Sequence, residues 1–237
     1  MESLQNKISP SLAIIITGVV IAGAIIFSSR LPGPAAVVQP QGQVPAQPTG
    51  DLEAMTAVTA SDHIRGDINA PVKVVEYSDT ECPFCKQFHN TMKQVVSTYG
   101  SQVAWIYRHF PLDSLHAKAR KEAVALECAG DQGGNDKFWA YADRVYEVTP
   151  SNDGLDAAEL PKIAQYVGLD VAKFNSCLTS GKFDKHIQDE VANATATGGQ
   201  GTPWSIVVGK DGKKYPLSGA QPYPNVKQLV DKALAGN

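Results

Sequence analysis

Sorting the chain into apolar and polar positions separates an N-terminal segment from a patterned body. Residues 11–27 (SLAIIITGVVIAGAIIF) carry no charge, and their only polar residues are Ser11 and Thr17. Extended by Pro10, Ser28 and Ser29, the run reaches the roughly 20 residues that one membrane-spanning helix needs. Residues 11–29 are therefore read as a transmembrane anchor, with residues 1–10 as a short tail. A cleaved secretory signal has a shorter apolar region and a small-residue cleavage site; the candidate site here is residues 33–35 (GPA). Residues 31–50 (LPGPAAVVQPQGQVPAQPTG) hold no charge and no periodicity. Residues 30–60 are accordingly expected to be a disordered, extended tether, with the folded body starting near Ser61.

From there the pattern turns regular. Residues 71–79 (PVKVVEYSD) form a β-branched apolar run, the mark of a buried strand. Phe84, Phe88, Met92, Val95, Val96 and Tyr99 then recur at helical spacing to about Thr98, and residues 102–111 (QVAWIYRHFP) read as a second strand stopped by Pro111. Strand, helix, strand, with a helix long enough to cross over, predicts a parallel pair. Residues 114–185 read as mostly helical, in segments opened or closed by Asp, Asn or Gly. WSIVV and KYPL, joined at KDGK, predict a hairpin, and residues 225–235 a last helix. The expected class is α/β: a small βαβ…ββα body at 61–237, carrying a helical insertion at about 114–190.

Composition narrows the function classes. The chain has 237 residues, 43% hydrophobic, with a formal net charge of −3. With both signs mixed along it, nothing electrostatic points to nucleic acid. No nucleotide, flavin or haem signature occurs, so no cofactor is expected.

The chemistry concentrates in SDTECPFCKQFH, residues 78–89, where Cys82 and Cys85 stand two residues apart. Three readings compete. Cys82, Cys85 and His89 offer zinc three ligands, but structural zinc sites bring a second close pair, and Cys128 and Cys177 stand apart from each other. A structural disulfide across so short a loop staples almost nothing. Thiol–disulfide exchange fits the position. Pro83 suits the first helical position, which puts Cys82 at the helix N-terminus, where free N–H groups and the helix dipole favour a thiolate. Cys85, one turn in, is the resolving thiol.

GDINAPVKVVEYSDTECPFCKQFH, RHFPL, GTPW and the helical block between them resemble the DsbA-type thiol:disulfide oxidoreductases of the thioredoxin superfamily, and more closely their membrane-anchored bacterial branch with a CPFC-like site. The resemblance spans roughly residues 62–235 and implies a thioredoxin-like fold. By position it makes Cys82 the nucleophile and Cys85 its partner. Thr202-Pro203 becomes a cis-proline loop facing the cysteines, which would present the backbone of Thr202 to an extended substrate; Pro83 and Phe84 complete the substrate side. Glu76 falls where the family keeps an acid behind the cysteines. It is read as a desolvated carboxylate relaying a proton for Cys85, against a plain solvated strand glutamate. With Cys82 and Cys85 paired, Cys128 is left for Cys177, in a block where the branch often carries cysteines; the alternative is two buried free thiols. The best-known oxidase has Pro-His between its cysteines. Phe84 cannot donate a bond to the thiolate as that histidine does, and Thr202 precedes the proline in isomerases and reductases too.

Oxidising exchange works where thiols are not held reduced. This places the domain outside the cytoplasmic membrane and residues 1–10 inside, where Lys7 and Arg30 alone leave the orientation tied. Expected partners are exported proteins with cysteine pairs and, as the resemblance implies, a quinone-coupled membrane reoxidase. An isomerase or reductase, and a non-catalytic peptide-binding module, are the other readings. His89 is expected on the surface, and His109 and His116 as structural or surface residues. The sequon at Asn193 matters only in a eukaryotic secretory route. Trp139, Tyr141 and Tyr146 are expected to pack helices.

Overall fold

The computed structural model describes residues 50–236; the anchor expected at 11–29 and most of the tether lie outside the described residues. Among those described, no helix is long and apolar enough to cross a membrane.

Five strands form one sheet: β1 (His63–Arg65), β2 (Val72–Ser78), β3 (Val103–His109), β4 (Trp204–Val208) and β5 (Lys214–Ser218), in the order β1-β3-β2-β4-β5. The predicted crossover is present. β2 and β3 run parallel, Val72 opposite Val103 and Ser78 opposite His109, joined by helix α1 (Pro83–Tyr99). β4 and β5 form the predicted antiparallel hairpin, and β4 also pairs antiparallel with β2. β2 is thus central, and its C-terminal end delivers the chain directly to Cys82.

Alternation along the strands sorts the sheet into two faces. Val72, Val74, Trp105 and Tyr107 join the core under α1, α2 (Ala119–Val148) and α6 (Tyr223–Ala235). Val75, Tyr77, Ile106, Trp204 and Ile206 join a second core, which takes in Ala194 of α5 (Asp184–Ala196). Glu76 and Ser78 continue the register of Val72 and Val74, so strand geometry turns a carboxyl and a hydroxyl into the first core.

The inserted block comprises α2, α3 (Glu159–Tyr166), α4 (Val171–Leu178) and α5. α2 does not stop at Gly130, the first glycine after its Ala-rich start. It continues to a break at Gly133 and Gly134, the latter at φ 71°, a conformation glycine adopts without steric cost. Cys128 of α2 is disulfide-bonded to Cys177 of α4, the Cα atoms 5.8 Å apart, so the two sulfurs are not buried free thiols.

The folded body starts before Ser61. Asp51 N–H bonds to the Ala196 carbonyl, and residues 52–54 form a 3-10 turn. The buried Arg108 side chain donates to Asp62, to the carbonyls of Thr56 and Ala57, and to Tyr77 and Asn193. A buried guanidinium needs all its donors met, and the segment expected to be tether supplies several of the acceptors. The Asn193 amide is used up in the same knot, taking Thr56 and Tyr77 and donating to the Ala54 carbonyl.

Candidate active site

Cys82 is the N-cap of α1 and Pro83 the first helical residue. Both sulfurs are free thiols. Cys82 Sγ lies 3.4 Å from the Thr202 carbonyl, across from the cis Thr202-Pro203 bond. Cys82, Cys85, Thr202 and Pro203 are therefore brought together as expected, and Phe84 projects outward, 59% exposed, with Pro83 exposed beside it.

The two cysteines differ sharply. A hydrogen bond from the Cys85 thiol lowers Cys82 to about 6; burial opposes this, while the Thr202 side chain and the N–H groups of Cys85 and Phe84 reinforce it. Burial, together with the nearby Cys82 and Glu76, pushes the Cys85 thiol well up. The Asp79 N–H reaches Cys85 Sγ at 3.4 Å. One sulfur is a thiolate near neutral pH, and the other keeps its proton.

Glu76 is 1% exposed, so it is a core carboxyl and not a solvated strand residue. Burial raises it to about 7, in spite of hydrogen bonds from Ser78 and Trp105 that favour its anion. Ser78 Oγ donates to Oε1 at 2.7 Å and Trp105 Nε1 to Oε2 at 2.8 Å. Ser78 Oγ also meets Tyr146 OH at 2.9 Å, and Tyr146 OH meets Tyr107 OH at 3.0 Å.

A second carboxylate group holds the loop between β2 and α1. Asp79 accepts from the N–H groups of Glu81 and Leu112 and pairs with His116 at 2.9 Å. Glu81 takes the N–H groups of Gly154 and Leu155 on its carboxylate and that of Asn152 on its carbonyl. The turn it grips has three successive left-handed residues, Ser151, Asn152 and Asp153. Such backbone is costly without glycine, and consecutive N–H groups of this kind form an anion-binding concavity. Glu122, beside Glu81, is raised to about 9 by burial and by sharing a hydrogen bond with that carboxylate. The insertion thereby grips the loop that carries Cys82.

His89 is not on the surface. It is 3% exposed on the inner row of α1, with Nε2 2.6 Å from Asp143, so it does not join the cysteines as a ligand. His109 and His116 are both buried, paired with Glu127 and Asp79. Trp139, Tyr141 and Tyr146 are buried helix-packing residues as expected, and Tyr146 has the further contact with Ser78. Ser78, Glu81 and Glu122 carried no local signal: they lie at the end of an apolar run or within polar stretches.

A central parallel βαβ unit, a CxxC pair at the helix N-terminus and a facing cis-proline define a thioredoxin-fold protein with a DsbA-like oxidoreductase site. The chain belongs to the thioredoxin family: a family model described as "Thioredoxin" matches residues 58–232. Among solved structures it is similar to DsbA2 of Pseudomonas aeruginosa, with 28% identity, 74% of this chain and 96% of that one covered, and a TM-score of 0.63. Its fold is also that of alpha-DsbA1 of Wolbachia pipientis (22% identity, 78% and 97% covered, TM-score 0.67) and BdbD of Bacillus subtilis (20%, 79% and 96%, 0.64). Among curated proteins it is similar to proteins named Na(+)/H(+) antiporter NhaA 1 of Mycolicibacterium gilvum, 31% identical over 70% of this chain, and NhaA 3 of Salinispora tropica, 35% over 68%. The chain spans about a quarter of the length of these relatives, 26% and 24%.

Proposed function

We propose that this protein is an extracytoplasmic thiol:disulfide oxidoreductase that oxidises cysteine pairs of exported proteins. The observation that carries the reading is the division between Cys82, drawn down to about 6, and the buried Cys85, pushed up. A substrate thiolate attacks the Cys82–Cys85 disulfide at Cys82, and Cys85 leaves with the electron pair. The second substrate thiol, as thiolate, then attacks the substrate sulfur of the mixed disulfide and releases Cys82 as thiolate. Two electrons pass from substrate to enzyme. A quinone-coupled membrane partner returns the pair to the disulfide. Glu76 supplies the proton that Cys85 takes up.

Stabilising the thiolate stabilises the reduced pair and makes the disulfide a stronger oxidant. The uncharged run at 11–29 supports a membrane anchor, and donation of disulfides, which needs a compartment where thiols are not held reduced, supports placing the domain outside the cytoplasm. The antiporter name of the curated relatives offers no transport role here, since about three quarters of each lies beyond the match.

A reductase or isomerase is the second reading, favoured by Phe84, whose side chain, unlike a histidine, has no donor to add to the backbone N–H groups that hold the Cys82 thiolate. Equilibrating the full-length protein with glutathione buffers decides between them. A potential above that of the glutathione pool supports the oxidase, and one near −270 mV, the value typical of a thioredoxin reductant, overturns it.

A further inference from the structure

Behind Cys85 lies a hydrogen-bond chain assembled from three parts of the fold. Ser78 ends β2, Tyr107 stands on β3, and Tyr146 comes from α2 in the insertion. All are buried, Ser78 and Tyr107 at 1% exposure and Tyr146 at 3%. The chain runs Tyr107 OH to Tyr146 OH at 3.0 Å, Tyr146 OH to Ser78 Oγ at 2.9 Å, and Ser78 Oγ to Glu76 Oε1 at 2.7 Å. Cys85 Sγ sits against the same stretch: it accepts from the N–H of Asp79, the residue after Ser78, at 3.4 Å, and the Ser78 hydroxyl favours its thiolate. Glu76 is fixed from its other side by Trp105.

A serine hydroxyl has one proton and two acceptor sites. Here it has three neighbours: Glu76, Cys85 and Tyr146. If Tyr107 donates to Tyr146, and Tyr146 to Ser78, one acceptor site is filled permanently. The serine's own proton then has two destinations, Glu76 or Cys85, and the remaining acceptor site faces whichever of them is protonated. We infer that Ser78 is the proton conduit between Glu76 and Cys85, and that Tyr146, supplied by the helical insertion, is a positioning residue that holds it in that role.

The step balances. When the substrate thiolate attacks Cys82, the Cys82–Cys85 bond breaks and Cys85 leaves as thiolate. Ser78 gives its proton to Cys85 and takes the proton of Glu76, leaving Glu76 ionised, Cys85 neutral and Ser78 unchanged. Ser78 then donates to the Glu76 carboxylate, and the Cys85 thiol turns to the Cys82 thiolate. Reoxidation runs the same path backwards. The burial of every member keeps water from substituting for the hydroxyl.

This inference rests on the thiol–disulfide exchange reading, and the test separates the two. Oxidised full-length protein, wild type and the variants Ser78→Ala, Tyr146→Phe, Glu76→Gln and Ser78→Ala/Glu76→Gln, is reduced by a dithiol peptide from pH 5 to 9. Progress is followed by acid-quenched alkylation, and urea unfolding checks that each variant folds. General acid–base groups contribute about 10²–10⁴-fold, so Ser78→Ala is expected to slow reduction at least about tenfold and to erase the inflection near pH 7 that belongs to Glu76. Tyr146→Phe, which keeps its ring, is expected to move the same inflection with a smaller loss. The double variant is expected to be no slower than the slower single variant, because both cut one path. Losses that multiply, or a Ser78→Ala profile that keeps the wild-type inflection, overturn the conduit alone. A wild-type protein that exchanges no disulfides overturns the functional reading and the conduit with it.

Discussion

The asymmetry of the two cysteines leads to a measurable break in the redox potential. Reduction of the pair takes up two electrons and, while both thiols stay protonated, two protons. The potential then falls by about 59 mV per pH unit, since a tenfold change in a two-electron equilibrium is about 30 mV. Cys82 is lowered to about 6, and Cys85 is raised. Above pH ~6 the reduced form therefore binds one proton, and the slope halves to about 30 mV. At pH 7 the ionised Cys82 favours the reduced form about elevenfold, or about 30 mV of oxidising power, compared with a thiol at its ordinary value. Glu76 adds a second effect: burial raises it to about 7 and the Cys82 thiolate adds to that rise; the thiolate exists only in the reduced form, so reduction draws part of an extra proton there and steepens the wild-type curve. Glu76→Gln removes that contribution and exposes the bare break. The assay is equilibration with glutathione between pH 5 and 8.5, followed by acid trapping and alkylation. Cys128 and Cys177 are bonded to each other, so while that bridge is closed the mass shift counts only the active pair. A single slope of about 59 mV across the range in Glu76→Gln would mean that Cys82 keeps its proton, and the helix N-terminus argument would fall.

Other expectations concern the individual groups. Cys82→Ala should abolish exchange, whereas Cys85→Ala should accumulate mixed disulfides through Cys82, visible on non-reducing gels; trapping by the Cys82 variant instead would reverse the roles. Glu122 is held up at about 9 in the fold against 4.5 for an ordinary glutamate, so its stabilising proton is fully present below pH ~4.5 and lost as pH rises through ~9. Urea unfolding should show wild-type stability dropping over that window by on the order of 4 kcal/mol more than in Glu122→Gln; parallel curves would refute it. Replacing Cys128 and Cys177 together should cost about 4 kcal/mol for a loop of this length, read from denaturant midpoints, while mild reductant should open Cys82–Cys85 before this bridge.

What could be read in the sequence was whatever repeats locally. The Val and Ile runs of β2 and β4 and the apolar row of α1 have periods that a short window reveals, and the CxxC pair sits where one such element ends and the next begins. His89 was misread although its spacing held the answer: it lies four residues past Cys85 and three before Met92, on the buried row. The start of the fold was misplaced for a similar reason. Leu52, Met55 and Val58 recur every third residue and pack on the second core, but the segment's polar flanks resemble the tether before it. Contacts between distant segments left no such trace. Nothing near Ser78 announces Tyr146, and nothing near Glu81 announces Glu122 or the left-handed turn at 151–153. Each of these is a polar group that gains its meaning from a partner dozens of residues away.

The two ends of the sheet have a consequence if, as proposed, this protein handles unfolded chains. Among the described residues, β1 is only three residues long, and β5 carries Pro216 in its middle, where a ladder N–H would otherwise face outward. Short strands and prolines blunt a sheet edge against pairing with another chain. Extended clients crowded around such a molecule find little backbone along its flanks to template on. On the proposed function, the strand-like contact left open to such clients is the Thr202 loop, whose carbonyl lies 3.4 Å from Cys82 Sγ, so the geometry that limits aggregation would also direct each client to the sulfur proposed to act on it.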